Sequence, residues 1–225
     1  MQKLTIQVSD DTTVSALLQR PDDPVACYVF AHGAGAGMEH AFMTAVANGL
    51  AERRIATLRY QFPYMERGSK RPDTPPVAHA AVRAAVACAA REFGSLMLLA
   101  GGKSFGARMT SQAQATLPLP QVAGLVFLGF PLHPAGTPSI SRADHLSKVR
   151  IPMLFVQGTE DKLAELDKLR PVVGALGASA TLITIEHADH SFHVPKRSGR
   201  DDEAVLKEVL DGVARWADAL RTGSR

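Results

Sequence analysis

The sequence predicts an α/β protein: a doubly wound, mostly parallel sheet with helices on both faces and no large cap domain. Three observations point there. Short apolar runs of strand length alternate with amphipathic stretches of helical period along the chain, the pattern of a parallel sheet covered by helices. Residues capable of chemistry follow directly after those runs, where open α/β sheets bind ligands. The stretch between residues 130 and 153 is too short to form a further domain of its own.

Taken in order, residues 3–8 and 13–18 read as an opening hairpin across the turn Asp10-Asp11. Cys27-Tyr28-Val29-Phe30-Ala31 is a buried-strand run that ends at His32-Gly33-Ala34-Gly35-Ala36-Gly37. Phe42, Ala45, Val46, Gly49 and Leu50 then share one helix face. Ile55 to Leu58 form the next strand, followed by a Pro-, Arg- and aromatic-rich loop to about residue 76. The following helix turns Val82, Ala85, Val86, Ala89 and Phe93 inward, and Leu96 to Ala100 is a strand. A helix is expected after Ser104, and Val122 to Phe130, Met153 to Gln157 and Thr181 to Ile185 read as three further strands. Val205, Leu206, Val209, Leu210, Val213, Trp216, Ala217 and Leu220 form the stripe of a closing helix.

The 225 residues contain no repeat and no polar linker, so residues 1–225 are expected to form a single domain. Apolar residues make up 46% and charged residues 21%, which argues against long disordered stretches. The net charge of +3 comes without long Lys/Arg runs, so a nucleic-acid partner is not expected. Cys27 and Cys88 are expected to be buried free thiols of a reducing compartment. No leader pattern precedes the first strand and no run approaches the ~20 apolar residues of a membrane span. A cytoplasmic protein without a membrane partner is the expectation.

The sharpest motif is Gly102-Lys103-Ser104-Phe105-Gly106, between a strand and a helix. A serine hydroxyl is a weak nucleophile that needs exposure and a base, and a tight strand-to-helix turn between small residues exposes it. With 18 glycines in 225 residues, chance flanking of a serine by two glycines is about 0.6%. The placement, more than the pattern, makes Ser104 the candidate nucleophile. Gly102-Lys103-Ser104 also ends like a phosphate-binding loop, but that motif needs a glycine where Met97 stands.

The candidate base is His190, within Ala188-Asp189-His190-Ser191-Phe192 after the last strand; His187 competes from closer to the strand end. Asp161, in Gly158-Thr159-Glu160-Asp161, is the candidate orienting acid, with Glu160 in reserve and a helix cap as its plainer role. A rival set of metal ligands, His187, Asp189, His190 and His193, lacks a second cluster with ligand spacing. No metal and no cofactor are expected. The loop after Ala31 would supply an oxyanion-hole N–H from Ala34 or Gly35, with the second from Phe105. A dinucleotide fingerprint competes for this loop, but its third glycine falls on Met38 and the next strand ends in Arg59 rather than an acid.

At these residues the chain resembles the α/β-hydrolase superfamily, in particular small bacterial predicted hydrolases related to the dienelactone hydrolase family. The resemblance runs through His-Gly-Ala-Gly-Ala-Gly, Gly-Lys-Ser-Phe-Gly, Gly-Thr-Glu-Asp and Ala-Asp-His-Ser-Phe. It implies the α/β-hydrolase fold and a Ser-His-Asp triad without specifying a substrate. Dienelactone hydrolases proper carry a cysteine nucleophile where this chain has Ser104, so the resemblance does not imply that reaction. It also extends to eukaryotic relatives in regulatory complexes, which keeps a non-catalytic scaffold role open.

The expected activity is hydrolysis of small carboxylic esters through an acyl-enzyme, with a thioesterase or peptidase using the same triad as the alternative. The partner expected is a small-molecule ester or thioester. Phe62, Tyr64, Leu132 and Phe192, in post-strand loops, are expected to line an apolar pocket, with plain loop packing as the alternative for each. Arg67, Lys70, Arg71, Lys196, Arg197 and Arg200 suggest a basic rim that would favour anionic acyl substrates, with solvated surface charge as the plainer reading.

Overall fold

The structure, a computed structural model, describes residues 1–223. Among these residues the sheet has eight strands: β1 (Gln2–Ser9), β2 (Thr12–Gln19), β3 (Ala26–Ala31), β4 (Ile55–Tyr60), β5 (Met97–Lys103), β6 (Val122–Leu128), β7 (Met153–Gly158) and β8 (Ala180–Ile185). Their spatial order is β1-β2-β4-β3-β5-β6-β7-β8. The β1–β2 and β2–β4 pairs are antiparallel and the others parallel. The α-helices are α1 (Ala41–Ala51), α2 (Pro63–Glu66), α3 (Pro75–Phe93), α4 (Phe105–Thr116), α5 (Leu166–Leu176) and α6 (Asp202–Thr222).

Both faces of the central strands are covered, which is why those strands read as unbroken apolar runs. Along β3, Cys27, Val29 and Ala31 join a cluster with Val82, Ala85 and Ala89 of α3 and Met109 and Ala113 of α4. Tyr28 and Phe30 point the other way, into a cluster with Val46 and Leu50 of α1 and Val205, Val209 and Val213 of α6. Cys27 and Cys88 are buried and unbridged. No helix of the described residues is long and apolar enough to cross a membrane.

The differences from the sequence expectation have physical causes. Strand β5 runs three residues beyond Ala100 because Gly101 and Gly102, which read as turn residues, still pair with Phe30 and Ala31 of β3. Conversely β6 stops at Leu128, short of Phe130. On α1, Met43 and Ala47 are buried where Phe42 and Ala45 were expected; the Phe42 ring instead stacks on Phe192, with centroids 5.8 Å apart. Phe93 is half-buried beneath the Arg20 guanidinium, 4.3 Å from its ring centroid. Helix α5 went unnoticed because Pro171 lies inside it and only Leu169 and Val173 are buried. In place of a cap, the stretch after β6 holds a 3₁₀ segment, Ser141–Lys148, against α4 and α5.

The Phe127 ring on β6 lies 4.9 Å from Phe155 and 5.4 Å from Phe130. Phe127→Ala is expected to lower unfolding free energy by about 3–5 kcal/mol, seen as a lower urea midpoint at unchanged slope. A loss below about 1 kcal/mol would mean the cavity closes up without the ring.

Candidate active site

Strand β5 ends in a turn that puts Ser104 at φ 50° and ψ −109°, and α4 begins at the next residue. A non-glycine residue there is strained by about 1–3 kcal/mol. The turn needs its two glycines for close approach: a Cβ on Gly102 would lie 2.4 Å from the Ala31 carbonyl oxygen, and one on Gly106 2.5 Å from the same atom. The end of β3 thus presses the turn from below and leaves the serine hydroxyl outward.

His190 Nε2 lies 2.9 Å from Ser104 Oγ, and its Nδ1 lies 2.7 Å from Asp161 Oδ2. The Asp161 side chain is fully buried, so its oxygens need donors. Besides the imidazole they receive the Leu163 N–H at 2.8 Å and the Gln157 side-chain amide. Gln157 is oriented in turn, because its Oε1 accepts the Phe130 N–H at 2.9 Å. In the loop bearing His190, Asp189 Oδ1 accepts the N–H groups of Ser191 and His193 at 2.7 and 3.0 Å. Glu160 and His187 are exposed, and His193 faces Asp202 at 2.8 Å. Among the described residues no three or more His, Cys, Asp or Glu side chains are grouped so as to hold a metal ion.

The loop between β3 and α1 is braced almost entirely from β4 and the residues after it. His32, fully buried, donates from Nδ1 to the Gly33 carbonyl at 2.8 Å and accepts the Phe62 N–H on Nε2 at 3.0 Å. Burial holds its pKa down at about 4, against a smaller upward pull from the Gly33 carbonyl. Arg59 donates to the Met38 carbonyl at 3.0 Å and to Thr44 Oγ1 at 2.9 Å, so this buried arginine holds the loop and does not present its charge to a phosphate. Gln61 Oε1 accepts the Met38 N–H. Tyr64 Oη accepts the Gly35 N–H at 3.3 Å, which corrects Gly35 as a free oxyanion donor. The N–H groups of Ala34 and Phe105 have no hydrogen-bond partner among the described residues. Ala34 is exposed, and Phe105 is the first residue of α4.

An open cavity of about 450 Å³ includes Ser104 and His190 in its lining. Its apolar wall is Ala34, Ala36, Phe42, Met43 and Leu163, with His40, Lys103 and Ser191 as polar members. The expected pocket residues are placed differently. Phe62, Tyr64 and Leu132 are buried and do not line it. Phe62 and Tyr64 pack against Phe105 and His32, and the Leu132 N–H bonds the Leu163 carbonyl. Phe192 contributes from behind, through its stack on Phe42. None of the six basic residues of the expected rim lines the cavity; Arg67 pairs with Asp73 and Arg200 with Glu208. The cavity-lining residues His40, Met43 and Leu163 had no sequence signal beyond lying near strand ends. Lys103 was visible only as the middle of the serine motif.

A family model described as an alpha/beta hydrolase domain matches residues 24–218. Solved structures share the fold at low sequence identity. A dienelactone hydrolase from Anabaena variabilis superposes with a TM-score of 0.75 at 21% identity, covering 96% of each chain. An alpha-beta serine hydrolase homologue from Coxiella burnetii gives 0.74 at 18%, covering 95% of this chain and 96% of that one. A lidless α/β serine hydrolase from Xanthomonas campestris gives 0.72 at 20%, covering 96% and 94%.

Buried His32 binds fewer protons in the folded than in the unfolded chain between its folded value of about 4 and its ordinary 6.5. Its contribution is therefore complete above the ordinary value and is lost as pH falls toward 4. Denaturant titrations are expected to show unfolding free energy dropping across that window, with His32 accounting for on the order of 3 kcal/mol. The drop should be smaller in His32→Gln; an equal slope in the variant would mean His32 is protonated in the folded protein.

Proposed function

The chain belongs to the alpha/beta hydrolase family, and from that premise we propose that it is a serine hydrolase of small carboxylic esters, acting as one domain with Ser104, His190 and Asp161 as its catalytic triad. What carries this is the hydrogen-bond chain from Ser104 Oγ through both nitrogens of His190 to the buried Asp161. A nucleophile, a base on its hydroxyl and an acid on the far nitrogen are the parts that acyl transfer needs.

In the first step Ser104 Oγ attacks the ester carbonyl while His190 Nε2 takes its proton. Negative charge develops on the carbonyl oxygen, and the N–H groups of Ala34 and Phe105 are the donors for it. Asp161 keeps Nδ1 protonated and stabilises the imidazolium. The imidazolium then protonates the leaving alcohol, and an acyl group remains on Ser104. A water that gives its proton to Nε2 attacks the acyl-enzyme, and collapse of the second tetrahedral intermediate returns that proton to Oγ and releases the acid. A cavity of about 450 Å³ with an apolar wall, open because no cap covers it, suits a short acyl or alcohol group. Thioesters and peptides could meet the same triad, and turnover of matched ester, thioester and amide substrates separates the three.

A fluorophosphonate probe is expected to label the folded protein at a single site, located on Ser104 by peptide mass spectrometry. Labelling should vanish in Ser104→Ala and fall by about a thousandfold or more in His190→Ala. A folded protein that resists the probe would sink the hydrolase assignment in favour of a scaffold role.

A further inference from the structure

Lys103, the residue before the proposed nucleophile, carries a charge that acyl transfer does not call for. Its Nζ donates to the His190 carbonyl and sits 5.5 Å from the centre of the Phe192 ring. Nζ occupies a space left by a missing side chain: a Cβ on Gly129 would lie 2.7 Å from Nζ and 3.4 Å from both Cε1 and the carbonyl oxygen of His190. No carboxylate of the described residues lies within ion-pair distance of this ammonium. Burial lowers its pKa to about 8, with Asp161 and Asp189 pulling the other way from greater distance. A largely buried cation without a direct counter-ion is costly, and a surface-facing or apolar side chain would avoid that cost. What the lysine gains is a grip on the loop that bears the base, from the strand that bears the nucleophile.

We propose that Lys103 is a positioning residue: reaching from the strand of Ser104 to the main chain of His190, it holds the imidazole at hydrogen-bond distance from Ser104 Oγ. The end of β5 then controls both ends of that bond. One end is the serine hydroxyl, set by the turn; the other is the histidine backbone, set by Nζ. The inference rests on the serine-hydrolase function proposed above.

The test measures the rate of fluorophosphonate labelling near neutral pH for the wild-type protein, Lys103→Met and Lys103→Arg. In Lys103→Met the rate is expected to fall roughly tenfold to a hundredfold. Lys103→Arg, which keeps charge and donor, should recover most of the rate. Lys103→Gln replaces the Met variant if circular dichroism shows that the latter does not fold. A Met or Gln variant labelled at the wild-type rate overturns the proposal, as does a slower variant of lowered Tm whose rate Lys103→Arg does not restore. Failure of the wild-type protein to label overturns the hydrolase assignment itself, and this inference with it.

Discussion

The end of β3 sets both the turn at Ser104 and the start of the loop that carries Ala34. Its last carbonyl, on Ala31, lies so close to Gly102 and Gly106 that neither could carry a side chain without a backbone shift. That approach turns the chain at Ser104 into a left-handed conformation and starts α4 immediately afterward. The helix in turn leaves the Phe105 N–H among the unpaired donors of its first turn. The same strand end releases the loop that carries Ala34. The exposure of Ser104, the proposed nucleophile, and both candidate oxyanion donors therefore follow from one packing contact between neighbouring parallel strands, and the local strain at Ser104 is held by the sheet around it.

The rest of the site is built by orienting one group with another. Gln157, the penultimate residue of β7, takes the Phe130 N–H and gives its amide to Asp161; Asp161 holds His190, and His190 reaches Ser104. Each link is buried or half-buried, so each polar atom is committed to a partner and has few alternative arrangements. On the other side of Ser104, β4 and the residues after it do comparable work for the β3–α1 loop through Arg59, Gln61, the Phe62 N–H on His32, and Tyr64. The aromatic loop after β4 thus braces the β3–α1 loop, and α1 and its approach supply part of the cavity wall.

Sequence reasoning failed on the pocket for a physical reason. Phe62, Tyr64 and Leu132 follow strands, as pocket residues do, but a residue's distance from a strand end does not say whether its side chain turns outward or under the sheet edge. Here they turn under, against His32, Phe105 and the β7 loop. Phe42 was read only as part of a helix face and Met43 carried no signal, yet the first turn of α1 borders the cavity. Two of the six basic residues of the expected rim are committed to acids by the fold, Arg67 to Asp73 six residues on and Arg200 to Glu208 eight residues on.

The sequence by itself determined the alternation of strands and helices, the opening hairpin, and the post-strand positions of Ser104, Asp161 and His190. Those features are local. Apolar periodicity sets element type, glycines flank a turn that must pass close to another strand, and chemistry collects at the carboxyl edge of a parallel sheet. Only the tertiary structure decided the strand order, the extension of β5 through two glycines, the occupants of the cavity wall, and the contact of Lys103 with His190. Lys103 and His190 are 87 residues apart in the chain. No local pattern encodes such a meeting; it arises when the sheet order brings the ends of β5 and β8 to the same edge and a glycine at 129 leaves the space between them.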